Sequence, residues 1–339
     1  MKFIRVPRSE GERIRRQLID AGAFVHGYSI ISGEQFLLFP VNVEKWHDYE
    51  IVERDAKKLP EKYLKLKGLL MNCLTETELE ELTTSYDVIG DIIIAEIPEG
   101  LEGKEKIIAD ALLKVNPSVK VVTKKLGPME GEFRVRRIKV IGGEGRTETV
   151  YKEHGCRMKL DVGKVYFSVR LGTERKRIAE LVQPGEKILA LFAGVGPFAL
   201  VISKTHPDSE IVAIELNPDA VEYMKENIAL NKMENITPVL GDAREIVMKS
   251  YQGFADRIIM PLPKSAAQFL DVAIAGAKDG GTIHFYTFDA EGKSFPEARK
   301  AVMEAAGKAG VKAEFLNEKI VRPYAPGLVQ VVIDFKVRK

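Results

Sequence analysis

Ile188-Leu-Ala-Leu-Phe-Ala-Gly-Val-Gly-Pro-Phe-Ala-Leu200 joins an apolar strand, a glycine turn and the start of an amphipathic helix. Gly194 and Gly196 carry no Cβ, so this turn can take positive φ and bring its backbone against a ligand. A second apolar run, Ile211-Val-Ala-Ile-Glu-Leu216, ends in Glu215, and Asn217-Pro218 then opens another helix. A carboxylate at the tip of the second parallel strand is where α/β folds hold the two hydroxyls of a ribose. Asp242, in Leu240-Gly-Asp-Ala-Arg244, ends the next strand and is placed to accept from an adenine amine. An adenosine with a tight turn beneath it describes a site for S-adenosyl-L-methionine.

A nicotinamide dinucleotide is the competing ligand. Its fingerprint needs a third glycine, G-x-G-x-x-G, at a helix start that faces a pyrophosphate. This loop runs Ala193-Gly-Val-Gly-Pro-Phe198 and lacks it. The acid that often precedes the glycine loop in methyl-transferring enzymes is also missing, because Ala190 stands there. Another group must hold the methionine end of the cofactor.

The elements that would position these residues alternate strand and helix from about Asp161 onward, with strands at Ile188–Leu191, Ile211–Ile214, Thr237–Leu240, Arg257–Met260, Gly281–Tyr286 and Val329–Phe335. That rhythm predicts a doubly wound, mostly parallel α/β sheet, a Rossmann-like domain, over 161–339. Two small α+β domains precede it. Residues 1–50 read as strand Phe3–Val6, a helix with Ser9 at its cap and Glu12 completing a capping box, Gly22 ending it, and strands Tyr28–Ile31 and Gln35–Pro40. Charged residues 51–67, with Lys57, Lys58 and Pro60, read as a linker. Residues 68–160 read as a helix over Thr75–Leu82, a strand over Tyr86–Ile97 bent at its glycine, a helix over Lys104–Val115, and strands Val119–Thr123 and Phe133–Ile141. The last alternates apolar and basic residues, so one face packs and the other presents cations.

Composition bounds what such a chain does. Its 339 residues are 45% hydrophobic and 29% charged, as in a water-soluble globular protein of two or three domains. No apolar run approaches the ~20 residues of a membrane span, and the N-terminus shows no signal region. Two cysteines and five histidines suit neither a disulfide framework nor a metal cluster, so no metal is expected and the setting is the cytoplasm. A formal net charge of +2 announces no nucleic-acid partner. Arg5, Arg8, Arg13, Arg15 and Arg16 nonetheless crowd one segment, and Lys124, Lys125, Arg134, Arg136, Arg137 and Lys139 another.

Further motifs fall in one order: Tyr166-Phe-Ser-Val-Arg-Leu-Gly-Thr-Glu-Arg175, Phe192-Ala-Gly-Val-Gly-Pro-Phe198, Glu215-Leu-Asn-Pro218 and Met260-Pro-Leu-Pro263. With Ser85–Asp91, Glu132–Arg136, Gly145–Thr147, Lys152–Gly155 and Tyr324-Ala-Pro326, the set resembles the archaeal and eukaryotic tRNA (guanine-37 N1)-methyltransferase family over nearly the whole chain. The resemblance implies a three-part architecture whose N-terminal module docks the outer corner of tRNA while the other two hold the anticodon branch. It implies tRNA as partner, with no membrane and no obligate protein partner.

Methylating guanine N1 requires a base for the N1 proton and a donor for the charge growing on O6. The resemblance gives those roles to Glu174 and Arg146. It lines the cofactor and base pocket with Tyr166, Arg170, Arg175 and Phe192, and the target base with Pro261, Leu262 and Pro263. By residue type alone, Glu174 in a run of Arg and Lys is an exposed ion-pair partner, Arg146 a solvated loop residue, and Phe192 equally core packing. Pro261 departs from the family's Asn-Leu-Pro or Asn-Pro-Pro. Proline donates no hydrogen bond, so base recognition falls to backbone carbonyls, or the accepted purine differs. Two alternatives stay open: modification of a tricyclic wyosine-pathway base at the same tRNA position, and a non-catalytic tRNA-binding protein.

Overall fold

The computed structural model describes residues 1–25, 27–58, 65–71, 73–131, 133–292 and 294–339. Pro60 and Glu132, both named above, lie outside the described residues. The chain divides into two units, one of residues 1–86, 95–124 and 140–145, the other of residues 87–94, 125–139 and 146–339.

The first unit begins with β1 (Lys2–Pro7), α1 (Gly11–Asp20), β2 (Ile31–Ser32), β3 (Phe36–Pro40) and β4 (Ile51–Glu53). The strands form an antiparallel sheet in the order β2-β3-β1-β4. Residues 51–53, at the start of the expected linker, pair with Lys2–Ile4 and complete that sheet. Ile14 and Leu18, one turn apart on α1, pack with Ile4, Val6 and Phe39. Ser9 does not cap the helix. Arg8–Glu10 winds into a 3-10 turn, so α1 starts at Gly11 with Glu10 at its N-cap. The Glu10 carboxylate is committed to the Tyr49 hydroxyl at 2.7 Å and to Arg13. After α2 (Leu66–Leu70), helix α3 (Glu76–Glu81) opens with Thr75 and Glu78 in a capping box.

Tyr86–Ile97 is a hairpin rather than one bent strand: β5 (Asp87–Ile89) turns through Gly90-Asp91 into β6 (Ile92–Ala95). Gly90 has φ 58°, and a Cβ there would sit 2.2 Å from Thr149 Oγ1, so only glycine makes this turn. Helix α4 (Glu105–Val115) and strands β7 (Val121–Glu130) and β8 (Val135–Gly143) follow, with Arg137 and Lys139 of β8 exposed. Strands β9 (Glu148–Glu153) and β10 (Cys156–Asp161) form a second hairpin.

The rest of the second unit is α5 (Gly172–Leu181), β11 (Lys187–Leu191), α6 (Pro197–Thr205), β12 (Glu210–Glu215), α7 (Pro218–Leu230), β13 (Ile236–Leu240), α8 (Ala243–Ser250), β14 (Ala255–Met260), α9 (Leu270–Gly276), β15 (Ala277–Ala290), α10 (Pro296–Lys308), β16 (Lys312–Ala325) and β17 (Leu328–Arg338). One seven-stranded sheet runs β13-β12-β11-β14-β15-β17-β16. Its first five strands are parallel, and β17 and β16 add an antiparallel edge. This is the doubly wound, mostly parallel architecture. Both faces are covered, which is why the strands read as continuous apolar runs. Leu189 and Leu191 enter one core with α8, α9 and α10, while Ile188 and Ala190 enter the other with α5, α6 and α7. Strand β16 escapes the sequence pattern. Three register shifts interrupt its pairing with β17, and its edge position leaves none of its residues buried, so no period of two survives.

Candidate active site

The order β12-β11-β14 reverses direction at β11, and parallel sheets bind ligands at the carboxyl ends of strands beside such a point. The glycine turn stands there. Gly194 and Gly196 have φ 56° and 86°, and Gly196 is the N-cap of α6 with Pro197 in its first turn. A Cβ on Gly194 would meet only the Tyr166 carbonyl, at 3.7 Å, so Tyr166 and the turn share one small space.

Glu215, at the tip of β12, holds this loop from the side. Its Oε2 accepts from Gly194 N at 2.8 Å, and its Oε1 accepts from Leu216 N and Asn217 N at 2.9 and 2.8 Å. A carboxylate has about four lone-pair sites, so Oε2 retains one for a ribose hydroxyl. Asp242 ends the β13 connection and caps α8, accepting from Arg244 N at 2.7 Å. The residues present therefore fit S-adenosylmethionine: a loop without side chains, a strand-tip carboxylate beside it, and a second acid on the adjacent strand end. Glu215→Ala is expected to weaken cofactor binding about ten- to hundredfold, since a charge-assisted hydrogen bond contributes roughly 1.5–3 kcal/mol. Calorimetry reads this directly, and an unchanged affinity would remove Glu215 from the site.

Glu174 is not the exposed ion-pair partner its neighbours suggest. It lies in the first turn of α5 and is 3% exposed. Its Oε2 accepts from Arg177 Nε at 2.9 Å and from the Tyr286 hydroxyl at 3.1 Å, and its Oε1 faces Lys319 Nζ at 2.9 Å. The Tyr286 ring lies 6.1 Å from that of Phe198, which follows the glycine turn on α6. Burial and the neighbouring Glu174 charge push the Tyr286 hydroxyl well above its ordinary pKa, so it stays a donor.

Behind Glu174 runs a buried polar chain. Arg177 Nη1 donates to Asp334 Oδ2 at 2.6 Å, His284 Nδ1 lies 2.6 Å from Asp334 Oδ1, and Arg257 Nη1 lies 2.7 Å from His284 Nε2. Burial holds the His284 pKa below its usual value, so the ring is neutral, donating from Nδ1 and accepting at Nε2. Burial alone would raise the Asp334 carboxyl; hydrogen bonds from His284 and Arg177 hold it far below the carboxylate range instead. A cavity of about 890 Å³ opens beyond this chain, at the amino ends of the strands, where Glu186, Arg257 and Lys336 line it. That is the wrong end of the sheet for the glycine loop.

The other expected residues separate into groups. Arg175 is 1% exposed and pairs with Glu153 of β9, with Nη2 to Oε2 at 2.8 Å, and with the Ser168 carbonyl at 3.1 Å. Expected at the cofactor, it is buried against Glu153 and ties α5 to the β9 hairpin. Arg170 is exposed and binds Asp87 Oδ1 at 2.8 and 3.0 Å. The guanidinium of Arg134 stands 5.5 Å from the Tyr166 ring centroid. Arg146 is no loose loop residue: it grips Asp91 with both Nη atoms at 3.0 and 2.6 Å and the Glu148 carbonyl at 2.6 Å. Phe192 has φ 56° and packs edge-on against Phe269 at 4.9 Å, on the rim of a core. Pro261-Leu262-Pro263 leaves the end of β14 in a turn, with Leu262 N donating to the Met260 carbonyl at 2.9 Å. Arg177, Tyr286, Lys319 and Asp334 were not singled out from the sequence. Tyr286 is hidden inside an apolar strand, and the others come from elements up to 157 residues apart that only the sheet order joins.

The sequence and the fold both match known proteins. Residues 149–314 match the TRM5/TYW2 methyltransferase domain, 66–147 the TYW2 N-terminal domain, and 4–45 the tRNA methyltransferase 5 N-terminal domain. The chain is 44% identical to the tRNA (guanine(37)-N(1))-methyltransferase Trm5b of Pyrococcus abyssi, over 98% of both chains. The crystal structure of that protein superposes with a TM-score of 0.76 over the full length of each. A structure described as the complex of aTrm5 and tRNALeu is 34% identical and superposes with a TM-score of 0.73, again over both full chains. A tRNA(Phe) (4-demethylwyosine(37)-C(7)) aminocarboxypropyltransferase of Methanocaldococcus jannaschii is 33% identical over 75% of this chain and 98% of its own. Similarity of this depth, carried from the first strand to the last, places the chain in the TRM5/TYW2 methyltransferase family.

Proposed function

We propose that this protein transfers a methyl group from S-adenosyl-L-methionine to N1 of guanosine 37 in tRNA, in the cytoplasm. The observation that carries the mechanism is a buried carboxylate, Glu174, hydrogen-bonded to Tyr286, whose ring stands 6.1 Å from that of Phe198 just past the glycine turn. Gly194, Gly196, Glu215 and Asp242 hold the cofactor, with Tyr166 and Phe192 beside the loop. Bound S-adenosylmethionine supplies an electrophilic methyl group. The target guanine leaves its stack to enter the pocket. Glu174 takes the N1 proton as the N1 lone pair forms its new bond. Tyr286, Arg177 and Lys319 hold the Glu174 oxygens in place by donating to three of their lone pairs, which leaves one on Oε1 for the proton. Arg146 donates to O6, where negative charge grows once N1 is deprotonated, and Asp91 fixes the plane of its guanidinium. Pro261 contributes no N–H, so the base edge is read through backbone carbonyls around Leu262 and Pro263. Residues 1–50 and 68–160 serve as tRNA-holding modules, the first at the outer corner of the tRNA.

Labelled-methyl transfer to a tRNA transcript with G at position 37, against one with A there, tests the assignment. Methyl is expected on the first only, at full rate on whole tRNA and reduced on an isolated anticodon stem-loop. The relative that transfers an aminocarboxypropyl group makes that the second reading, and the mass of the product separates the two. Labelling of both transcripts, or of neither, overturns the proposal. Among the described residues no helix is long and apolar enough to cross a membrane.

A further inference from the structure

Tyr286 of β15 hydrogen-bonds Glu174, and Phe288 follows on the same face, about 7 Å nearer the carboxyl end of the strand. The Phe288 ring centroid lies 4.2 Å from that of Tyr324 on β16, with the planes tilted by 40°. Those strands are not neighbours. β17 runs between them, and a regular sheet would keep them about 10 Å apart. A bulge closes the gap: Pro323 pairs with Val329 and Ala325 with Leu328, which leaves Tyr324 as the extra residue. Bulges re-aim side chains and recur beside active sites. Tyr324 remains 52% exposed, so much of its ring is open to a ligand.

The surrounding register repeats itself. Tyr286, Val332 and Lys319 form one row across β15, β17 and β16; Phe288, Gln330 and Arg322 form the row nearer the carboxyl end of β15. In the first row Tyr286 and Lys319 both contact Glu174. In the second, Arg322 Nε is fixed by buried Gln330 at 2.8 Å, beside the aromatic pair. An open aromatic face flanked by a fixed cation is how proteins hold an unpaired base and its phosphate.

We infer that Phe288 and Tyr324 form a stacking platform for the nucleobase flanking the one presented to Glu174, with Arg322 beside its phosphate. The inference rests on the proposed reaction at Glu174 and adds a second base site to it. Its occupant is an unpaired base of a tRNA loop, since a base within a duplex offers no free face.

The test uses the full-length protein and anticodon stem-loop RNA carrying 2-aminopurine at position 36 or at position 38. Binding to the parent protein should change the fluorescence at one of the two positions. Tyr324→Ala should abolish that change and weaken RNA binding roughly 5- to 150-fold, the range for one lost base stack. Tyr324→Phe should restore both. Cofactor affinity should be the same in all three proteins, which also shows that each is folded. A fluorescence change that survives Tyr324→Ala, or none at either position, overturns the platform whether or not methyl is transferred. A Tyr324-dependent change together with no methyl transfer to whole tRNA overturns the reaction at Glu174 and leaves the platform.

Discussion

Glu174→Gln is expected to slow methyl transfer about 10²–10⁴-fold while tRNA binding survives. The carboxamide keeps the size of the side chain and cannot take up the N1 proton. Its environment sharpens the expectation. Three donors, Arg177 Nε, the Tyr286 hydroxyl and Lys319 Nζ, surround the native carboxylate. A glutamine must point its NH₂ at one of them, so the variant also loses stability, by about 1–3 kcal/mol for a buried donor left without an acceptor. Single-turnover transfer at saturating enzyme, run well below the melting temperature, separates chemistry from folding. A rate within a few-fold of the parent would show that another group accepts the proton.

Arg175→Ala should cost about 3–5 kcal/mol of stability, because it strands Glu153 as a buried charge. The side chains of this pair are 1% and 7% exposed, and the guanidinium meets both carboxylate oxygens. For a domain of this size the melting temperature should fall by roughly 6–20 °C, read by calorimetry. Removing both charges is the discriminating step. Replacing Arg175 with Met together with Glu153→Leu should recover most of the loss, since a buried pair seldom outperforms apolar packing of similar volume. Arg175→Lys keeps the charge without the two-pronged geometry and should fall between. If Arg175→Lys instead kept its melting temperature and lost cofactor affinity, the residue would belong to the cofactor site and not to the support of α5.

The reading of Glu174 shows where sequence reasoning ends. Its neighbours on α5 are Thr173, Arg175, Lys176 and Arg177, a polar run indistinguishable from a solvated helix face. Burial comes from β15 and β16, elements distant in the chain, and the β16 residue Lys319 lies on a strand whose bulges erase the alternation that marks strands. The Tyr86–Ile97 hairpin and the α1 start were misread for a local reason. Each depends on a few dihedral angles, Gly90 at φ 58° and the 3-10 turn over Arg8–Glu10, that several similar sequences could decline.

What the sequence by itself determined was the succession of strand, turn and helix in the doubly wound sheet and the residues at their joints. It set the glycine turn after β11, the acid at the tip of β12, the acid opening α8, the alternation that makes a doubly wound sheet, and the ordered motifs of the family. These are local because a parallel strand, its turn and the following helix are contiguous, and parallel sheets bind ligands at such joints. The tertiary structure alone decided how those residues are held. Glu215 spends three lone pairs on backbone N–H groups, Arg146 is oriented by Asp91, Arg175 is taken into the interior by Glu153, and Glu174 is ringed by Arg177, Tyr286 and Lys319. Partners of a buried charge are chosen by which strands lie side by side. The order β14-β15-β17-β16 sets that, and no spacing in the chain records it.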